Sequence, residues 1–360
     1  MEVGRRGRGW RGLQSLGRPF GITGSHGAVG SVGAMLEDNA TFICGHPKSG
    51  TSLVRGMLDS HPQLIVFPEE TKFFRRVLPE AAGQGLEVTA GVVEDRILQI
   101  FQWTAASPLP SQAGFPDRDY GHLAHEEVTA AYRRRLKGWT GEPSKLLSAA
   151  VLAYGEVSGR LGPDTLRWVE KSPYNERHAG QIFSWWPEAR CLHVVRDPRD
   201  NYASYRKKHP DWTPEAFAYS WLRSTRRGWK NQKDFGIDRY WTLRYEDLIL
   251  ATDKTIARIV DFLGVKAADA LRSPTRDGRP WKGNSMFGEA FDGISARPVG
   301  RFADELSEAD TRRLERLLEP EMARLGYALA RPLAPGDCFA GIVGRVKGAL
   351  RSTKEDQSER

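Results

Sequence analysis

Residues 43–52 read ICGHPKSGTS, and the reading of this stretch decides the fold. Gly45 and Gly50 bracket a short loop, and two hydroxyl residues, Thr51 and Ser52, follow the second glycine. Glycines let backbone N–H groups approach phosphate oxygens, and a following helix turns its partly positive end toward them. Upstream, Thr41–Cys44 is a β-branched and apolar run, the pattern of a strand. Downstream, Leu53, Val54, Met57 and Leu58 recur at helical spacing as far as His61-Pro62, where proline restricts its predecessor and stops a helix. The loop therefore joins a strand to a helix. A nucleotide triphosphatase would carry GxxxxGK[ST], with its lysine on the β/γ-phosphates. Here Thr51 takes that place and Lys48 lies inside the loop. The displacement predicts poor phosphoryl transfer. It suits a lysine that reaches the oxygen bridging a phosphate and a transferred group. The alternative is a glycine-rich turn with a solvated lysine.

The same alternation continues along the chain. LIVF (64–67) reads as a second strand running into PEETKFF (68–74). The apolar runs LRWVEK (166–171), RCLHVVRD (190–197) and RYWTLRYEDL (239–248) each precede a helical pattern. Strands alternating with helices predict one α/β domain with a mainly parallel sheet. From about 80 to 160 the pattern is helical. Val93, Ile97, Ile100 and Phe101 share one face, as do Leu147, Ala150, Val151, Tyr154 and Val157; the loop ASPLPSQAGFPDRDYG (106–121) separates them. A last helix over 306–325 turns Leu314, Leu317, Leu318 and Leu325 inward.

With 360 residues, 40% of them hydrophobic, the chain can bury one large core. No run of about 18 apolar residues predicts a membrane span. Residues 1–38 are rich in Gly and Arg without hydrophobic period and read as a disordered basic leader; 39–330 form the folded domain and 331–360 a polar tail. Three scattered cysteines without metal-ligand spacing fit buried free thiols and a reducing, cytoplasmic setting. The net charge of +8 suits an anionic partner.

A second constellation is HVVRDPRDNYASYRKK (193–208). Arg196 ends a strand, Asp197 suits an N-cap, Pro198 takes the favoured first helical position, and Asp200 completes a D-x-x-D variant of the capping box. Arg196 and Ser204, about two turns apart, can converge on one anion. An ordinary Arg–Asp salt bridge is the competing reading.

Together, PKSGTS (47–52) and VRDPRDNYASY (195–205) resemble the phosphate-binding motifs of the sulfotransferases that use 3′-phosphoadenosine 5′-phosphosulfate (PAPS). The resemblance covers about residues 41–327. It implies a P-loop NTPase-like three-layer α/β domain in which the helical region 80–160 shapes the acceptor cleft. It also implies that Lys48, Ser49, Gly50, Thr51 and Ser52 hold the 5′-phosphosulfate, and that Arg196 and Ser204 hold the 3′-phosphate. RYEDL (244–248) resembles a family strand end that places Tyr245 near the adenine. WKGNSMFG (281–288) and GISARPVGRF (293–302) resemble the segment that closes over the nucleotide, with Lys282, Asn284, Ser285 and Arg301 as contacts. This segment departs from the Arg-Lys-Gly-rich loop of cytosolic small-molecule enzymes, and Phe302 replaces a frequent tryptophan.

Sulfuryl transfer to a hydroxyl or amine needs a group to take the acceptor's proton. Glu70 is the expected base, from its resemblance to the glutamate of tyrosylprotein and heparan N-sulfotransferases; Glu69 and His46 are its rivals. Adjacent carboxylates are expected to raise one another's pKa. Lys171 is expected either to face the transferred group or to pair with Glu170 or Glu176. No metal or nucleic-acid partner and no membrane span is expected, and the acceptor stays open among glycan, peptide and metabolite. A P-loop kinase-like nucleotide binder is the rival function.

Overall fold

Five parallel strands form the central sheet: β1 (Ala40–Cys44), β2 (Leu64–Val66), β3 (Arg167–Lys171), β4 (Arg190–Val195) and β5 (Tyr240–Arg244). Their order across the sheet is β2-β3-β1-β4-β5, so β1 lies at the centre with Cys44 level with His193 of β4. The structure, a computed structural model, describes residues 36–332 apart from 113, 116, 117 and 140. Most of the expected leader and tail lies outside the described residues. Leu36, however, is buried in the core, so ordered chain precedes the expected start at 39.

Alternate strand residues serve opposite faces of the sheet. Phe42, Ile65 and Trp168 join one core with the helices α2 (Leu86–Arg96), α3 (His125–Leu136), α4 (Ser144–Val157) and α5 (Ala179–Trp185). Ile43, Val66, Val169 and Leu192 join the other with α1 (Thr51–Asp59). The parallel sheet follows the alternation of strands and helices, and the helices on both faces are the three-layer arrangement that the resemblance implies. In α1, Val54, Met57 and Leu58 are at most 1% exposed, and burial of each contributes about 1.5–3 kcal/mol. A third core unites α6 (Pro198–Arg206), α7 (Pro214–Phe235) and, after the short α8 (Tyr245–Leu250) and α9 (Thr252–Leu263), the last helix α10 (Glu308–Arg324).

The expected helical region is less continuous than its periodicity suggested. A 3-10 turn (Leu98–Gln102) follows α2, and the stretch before α3 is mostly irregular. Beyond α9 a small antiparallel hairpin pairs β6 (Thr275–Arg276) with β7 (Arg279–Pro280). From it the chain passes over the carboxyl end of the sheet as an irregular segment, 281–301.

Candidate active site

The glycine loop sits at the carboxyl end of the central strand, and its shape is set by close contacts. Gly45 has φ +133°, and a Cβ there would lie 2.3 Å from the Val194 carbonyl oxygen. Gly50 has φ +100°, and a Cβ there would lie 2.3 Å from the Tyr245 ring. Both positions therefore require glycine. Lys48 itself adopts φ +65°, a left-handed conformation uncommon for a side-chain-bearing residue and characteristic of functional loops. Thr51 and Ser52 open α1, and N–H groups of a first turn have no acceptor within their own helix.

Two buried carboxylates brace the phosphate-type loops from behind. The Gly45 amide donates to Glu176 Oε2 (3.1 Å), whose other oxygen accepts from Ser224 (2.5 Å). The Asp197 amide donates to Glu246 Oε1 (2.9 Å), and Tyr327 donates to Glu246 Oε2 (2.6 Å). Sequence reasoning missed both roles. The only signal was a glutamate shortly after each of two strands, Glu176 beyond LRWVEK and Glu246 in RYEDL, with nothing local to show their reach.

The second segment meets the first directly. Arg196 Nη1 donates to the Lys48 carbonyl and to Ser204 Oγ, each at 3.3 Å, and its guanidinium lies over the Tyr245 ring, 4.8 Å from the centroid. Asp197 caps α6 by accepting from the Arg199 amide at 2.9 Å, as expected. Asp200 does not close a capping box. Its carboxylate instead accepts from the Gly300 and Phe302 amides, both at 2.8 Å, and pins the end of the segment 281–301. Arg196 Nη2 donates to Pro298 O at 2.5 Å and fastens the same segment.

These elements border a cleft lined by Lys48, Gly50, Thr51, Ser52, Arg196, Ser204, Tyr245, Asn284, Ser285 and Arg301. Two expected contacts lie elsewhere. Ser49 is fully buried beneath the loop, so its hydroxyl does not line the cleft. Lys282 is exposed and lines a neighbouring groove, while Trp281 and Gly283 on either side border both spaces. Trp281, Met286 and Phe287 line the cleft without having been singled out in the sequence.

Charge is concentrated beside the loop. Lys48 Nζ lies 2.8 Å from Met286 Sδ. Burial, then the Lys208 and Lys171 charges, lower its pKa to about 8, against the opposing pull of Glu70. Lys171 is 4% exposed and donates to Glu70 Oε1 at 2.5 Å. It does not pair with Glu170 or Glu176. Glu170 projects to the other face of β3 and accepts from Thr71, Ser172 and Asn175.

Glu69 and Glu70 do not raise one another's pKa. Burial works to raise Glu70, but the Lys171 charge and hydrogen bond, backed by Lys72 and Arg75, hold it at about 2. Glu69 faces the opposite way. Its burial is likewise overcome, by Arg55, Arg276 and Arg118, and its carboxyl is lowered. His46 is buried among Tyr174, Tyr205 and Phe217; desolvation lowers its pKa to about 3, and its Nδ1–H donates to Pro47 O at 3.0 Å. It is neutral and turned into the core.

The family model described as the sulfotransferase family matches residues 40–269, more than half of the chain. The chain belongs to the sulfotransferase family. It is similar to the protein-tyrosine sulfotransferase of Drosophila melanogaster, 26% identical over 239 residues that cover 64% of this chain and 39% of that protein. It is also similar to protein-tyrosine sulfotransferase 1 of Danio rerio, 23% identical over 309 residues, 79% of this chain and 71% of that protein. The chain thus spans well under half the length of the Drosophila relative. Among solved structures it is similar to the sulfotransferase domain from the curacin biosynthetic pathway (17% identity, 80% of this chain and 98% of that one, TM-score 0.44). Another is retinol dehydratase in complex with androsterone and the inactive cofactor PAP (16% identity, 81% and 84%, TM-score 0.36). Among the described residues no helix is long and apolar enough to cross a membrane.

Proposed function

We propose that the chain moves a sulfuryl group from PAPS to a hydroxyl or amine of a carbohydrate, peptide or metabolite acceptor, within a catalytic domain over 39–330. The observation that carries this reading is the double hydrogen bond of Arg196 to the Lys48 carbonyl and to Ser204. It joins two anion-binding segments into one cleft. The amides of residues 48–52 and the Lys48 ammonium hold the 5′-phosphosulfate, Arg196 and Ser204 hold the 3′-phosphate, and Tyr245 flanks the adenine. Asn284, Ser285 and Arg301 cover the nucleotide from the overlying segment.

Glu70 takes the acceptor's proton as the new bond to sulfur forms and the bond from sulfur to the bridging phosphate oxygen breaks. Lys48, with Lys171, neutralises the charge that collects on that oxygen, leaving adenosine 3′,5′-bisphosphate. A carboxylate held at about 2 is a weak base. An anionic donor drawn up to Lys171 and Lys48 competes for the lysine charge and restores basicity to Glu70. This chemistry calls on no metal. The free, buried thiols of Cys44 and Cys191 support a cytoplasmic site of action.

Two measurements check the donor site. Arg196→Ala is expected to weaken binding of adenosine 3′,5′-bisphosphate by about tenfold to a hundredfold, and to weaken adenosine 5′-monophosphate, which lacks the 3′-phosphate, several-fold less in calorimetry, the residual effect coming from the lost Arg196 bond to the Lys48 carbonyl. Equal loss for both ligands would place Arg196 elsewhere. The second is a pH dependence. Lys48 is charged below about 8, and a bound phosphate favours that charged form. The dissociation constant of adenosine 3′,5′-bisphosphate is therefore expected to rise with pH above 8, by up to about tenfold per unit. The rise is expected to vanish in Lys48→Arg.

A further inference from the structure

The side chain that meets Lys48 Nζ is Met286, whose sulfur lies 2.8 Å away. Local ties fix this contact. Met286 belongs to the segment 281–301, and the Phe291 amide donates to the Lys282 carbonyl (2.9 Å), closing a loop over 282–291. Gly283, at φ +87°, packs so near the Phe291 ring that a Cβ would stand 2.7 Å from it. Asn284 Nδ2 donates to Ser52 Oγ at 3.4 Å, and the Phe287 amide donates to Ser285 Oγ at 3.1 Å. The Phe287 ring is flanked by Lys207 Nζ, 5.0 Å from its centroid, and by the Arg301 guanidinium at 4.5 Å. Both neighbours of Met286 are thus held, and its sulfur is aimed at the loop lysine.

Met286 also differs from the other methionines. The chain has five, of which Met1 and Met35 lie outside the described residues. Met57 and Met322 are at most 1% exposed, whereas Met286 is half-buried and lines the cleft. A thioether is a weak acceptor, so it gives way when a phosphate oxygen arrives at the lysine. Oxidation turns that thioether into a polar sulfoxide and is reversible by dedicated reductases. The oxygen gained is a far stronger acceptor than sulfur, and at Met286 it forms beside the Lys48 ammonium.

We infer that Met286 is an oxidation site through which hydrogen peroxide switches off sulfuryl transfer. A lone pair on Sδ attacks one peroxide oxygen, and the S–O bond forms as the O–O bond breaks. The leaving hydroxide takes the proton of the transferred oxygen and departs as water. Sulfur is oxidised by two electrons and the peroxide is reduced by them. The sulfoxide oxygen then accepts from Lys48 Nζ and competes with the phosphosulfate for that charge. This inference rests on the proposed function, since it takes Lys48 as the lysine that meets the donor.

In the test, the full chain is treated with hydrogen peroxide, quenched with catalase and digested for mass spectrometry. The Met286 peptide is expected to gain one oxygen atom well before the Met57 and Met322 peptides. Calorimetry on the oxidised chain is expected to show adenosine 3′,5′-bisphosphate bound about tenfold more weakly, with transfer from PAPS reduced by about tenfold or more. Methionine sulfoxide reductases A and B with dithiothreitol are expected to restore both. Met286→Leu has no sulfur to oxidise, so its affinity after peroxide is expected to equal its own value before. Met286→Gln, whose amide oxygen stands in for that of the sulfoxide, is expected to bind the bisphosphate more weakly than Met286→Leu without peroxide. Oxidation of Met286 no faster than that of Met57, undiminished binding after oxidation, or an equal loss in Met286→Leu overturns the switch. Failure of the untreated chain to bind the bisphosphate overturns the nucleotide reading instead, which separates the two claims.

Discussion

Lys48→Ala is expected to lower sulfuryl transfer by about 10²–10³-fold in kcat, with a much smaller loss of nucleotide affinity. Lys48 is held with φ +65° and its carbonyl is gripped by Arg196, so the backbone that aims it is fixed from outside the side chain. Its Nζ touches a thioether, with Lys171 and Lys208 as cationic neighbours. A half-buried ammonium in that setting gains most when charge develops on a ligand oxygen beside it. That gain is largest in the transition state, so the loss falls on kcat. Single-turnover transfer of labelled sulfate checks it. Near-normal turnover in Lys48→Ala would remove this lysine from the mechanism.

The second large effect is expected from Glu70→Gln, a fall of about 10²–10⁴-fold in kcat. The amide keeps the shape and can still accept from Lys171, but it cannot take a proton. The pH sign also follows. Glu70 must be ionised to act, and in the free enzyme it stays ionised down to about 2. Its acid limb in kcat/KM is therefore expected far below neutral pH. The limb in kcat is expected at higher pH, because bound donor weakens the grip of Lys171. Glu70 also contributes to stability. Its folded pKa is depressed, so its contribution is present above the ordinary carboxylate pKa and fades as pH falls toward 2. Melting curves of the variant at neutral pH separate that loss from the catalytic one.

The sheet, the glycine loop and the capped start of α6 were legible because each is written locally. Apolar runs mark the strands, Gly45 and Gly50 mark the turn, and Asp197-Pro198 marks the helix entry. What could not be read involves partners far apart in the chain. Lys171 reaches Glu70 across 101 residues and Glu176 reaches Gly45 across 131, and no periodicity encodes such meetings. The strand order was equally hidden, since it depends on crossovers. The pKa expectation for Glu69 and Glu70 failed for a related reason. Consecutive side chains point to different faces, and each found its own cations. Lys282 was assigned by its place in a motif, yet it lines the groove next door, with Arg118, Arg276 and Arg279.

The central claim is that this cleft binds an adenosine 3′,5′-bisphosphate nucleotide for sulfuryl transfer. A thermal-shift comparison of that bisphosphate with Mg·ATP tests it most directly. The account predicts that the bisphosphate, at about a hundredfold above its dissociation constant, raises the melting temperature by several degrees, without added metal, and that Mg·ATP adds little. Stabilisation by Mg·ATP alone would contradict it.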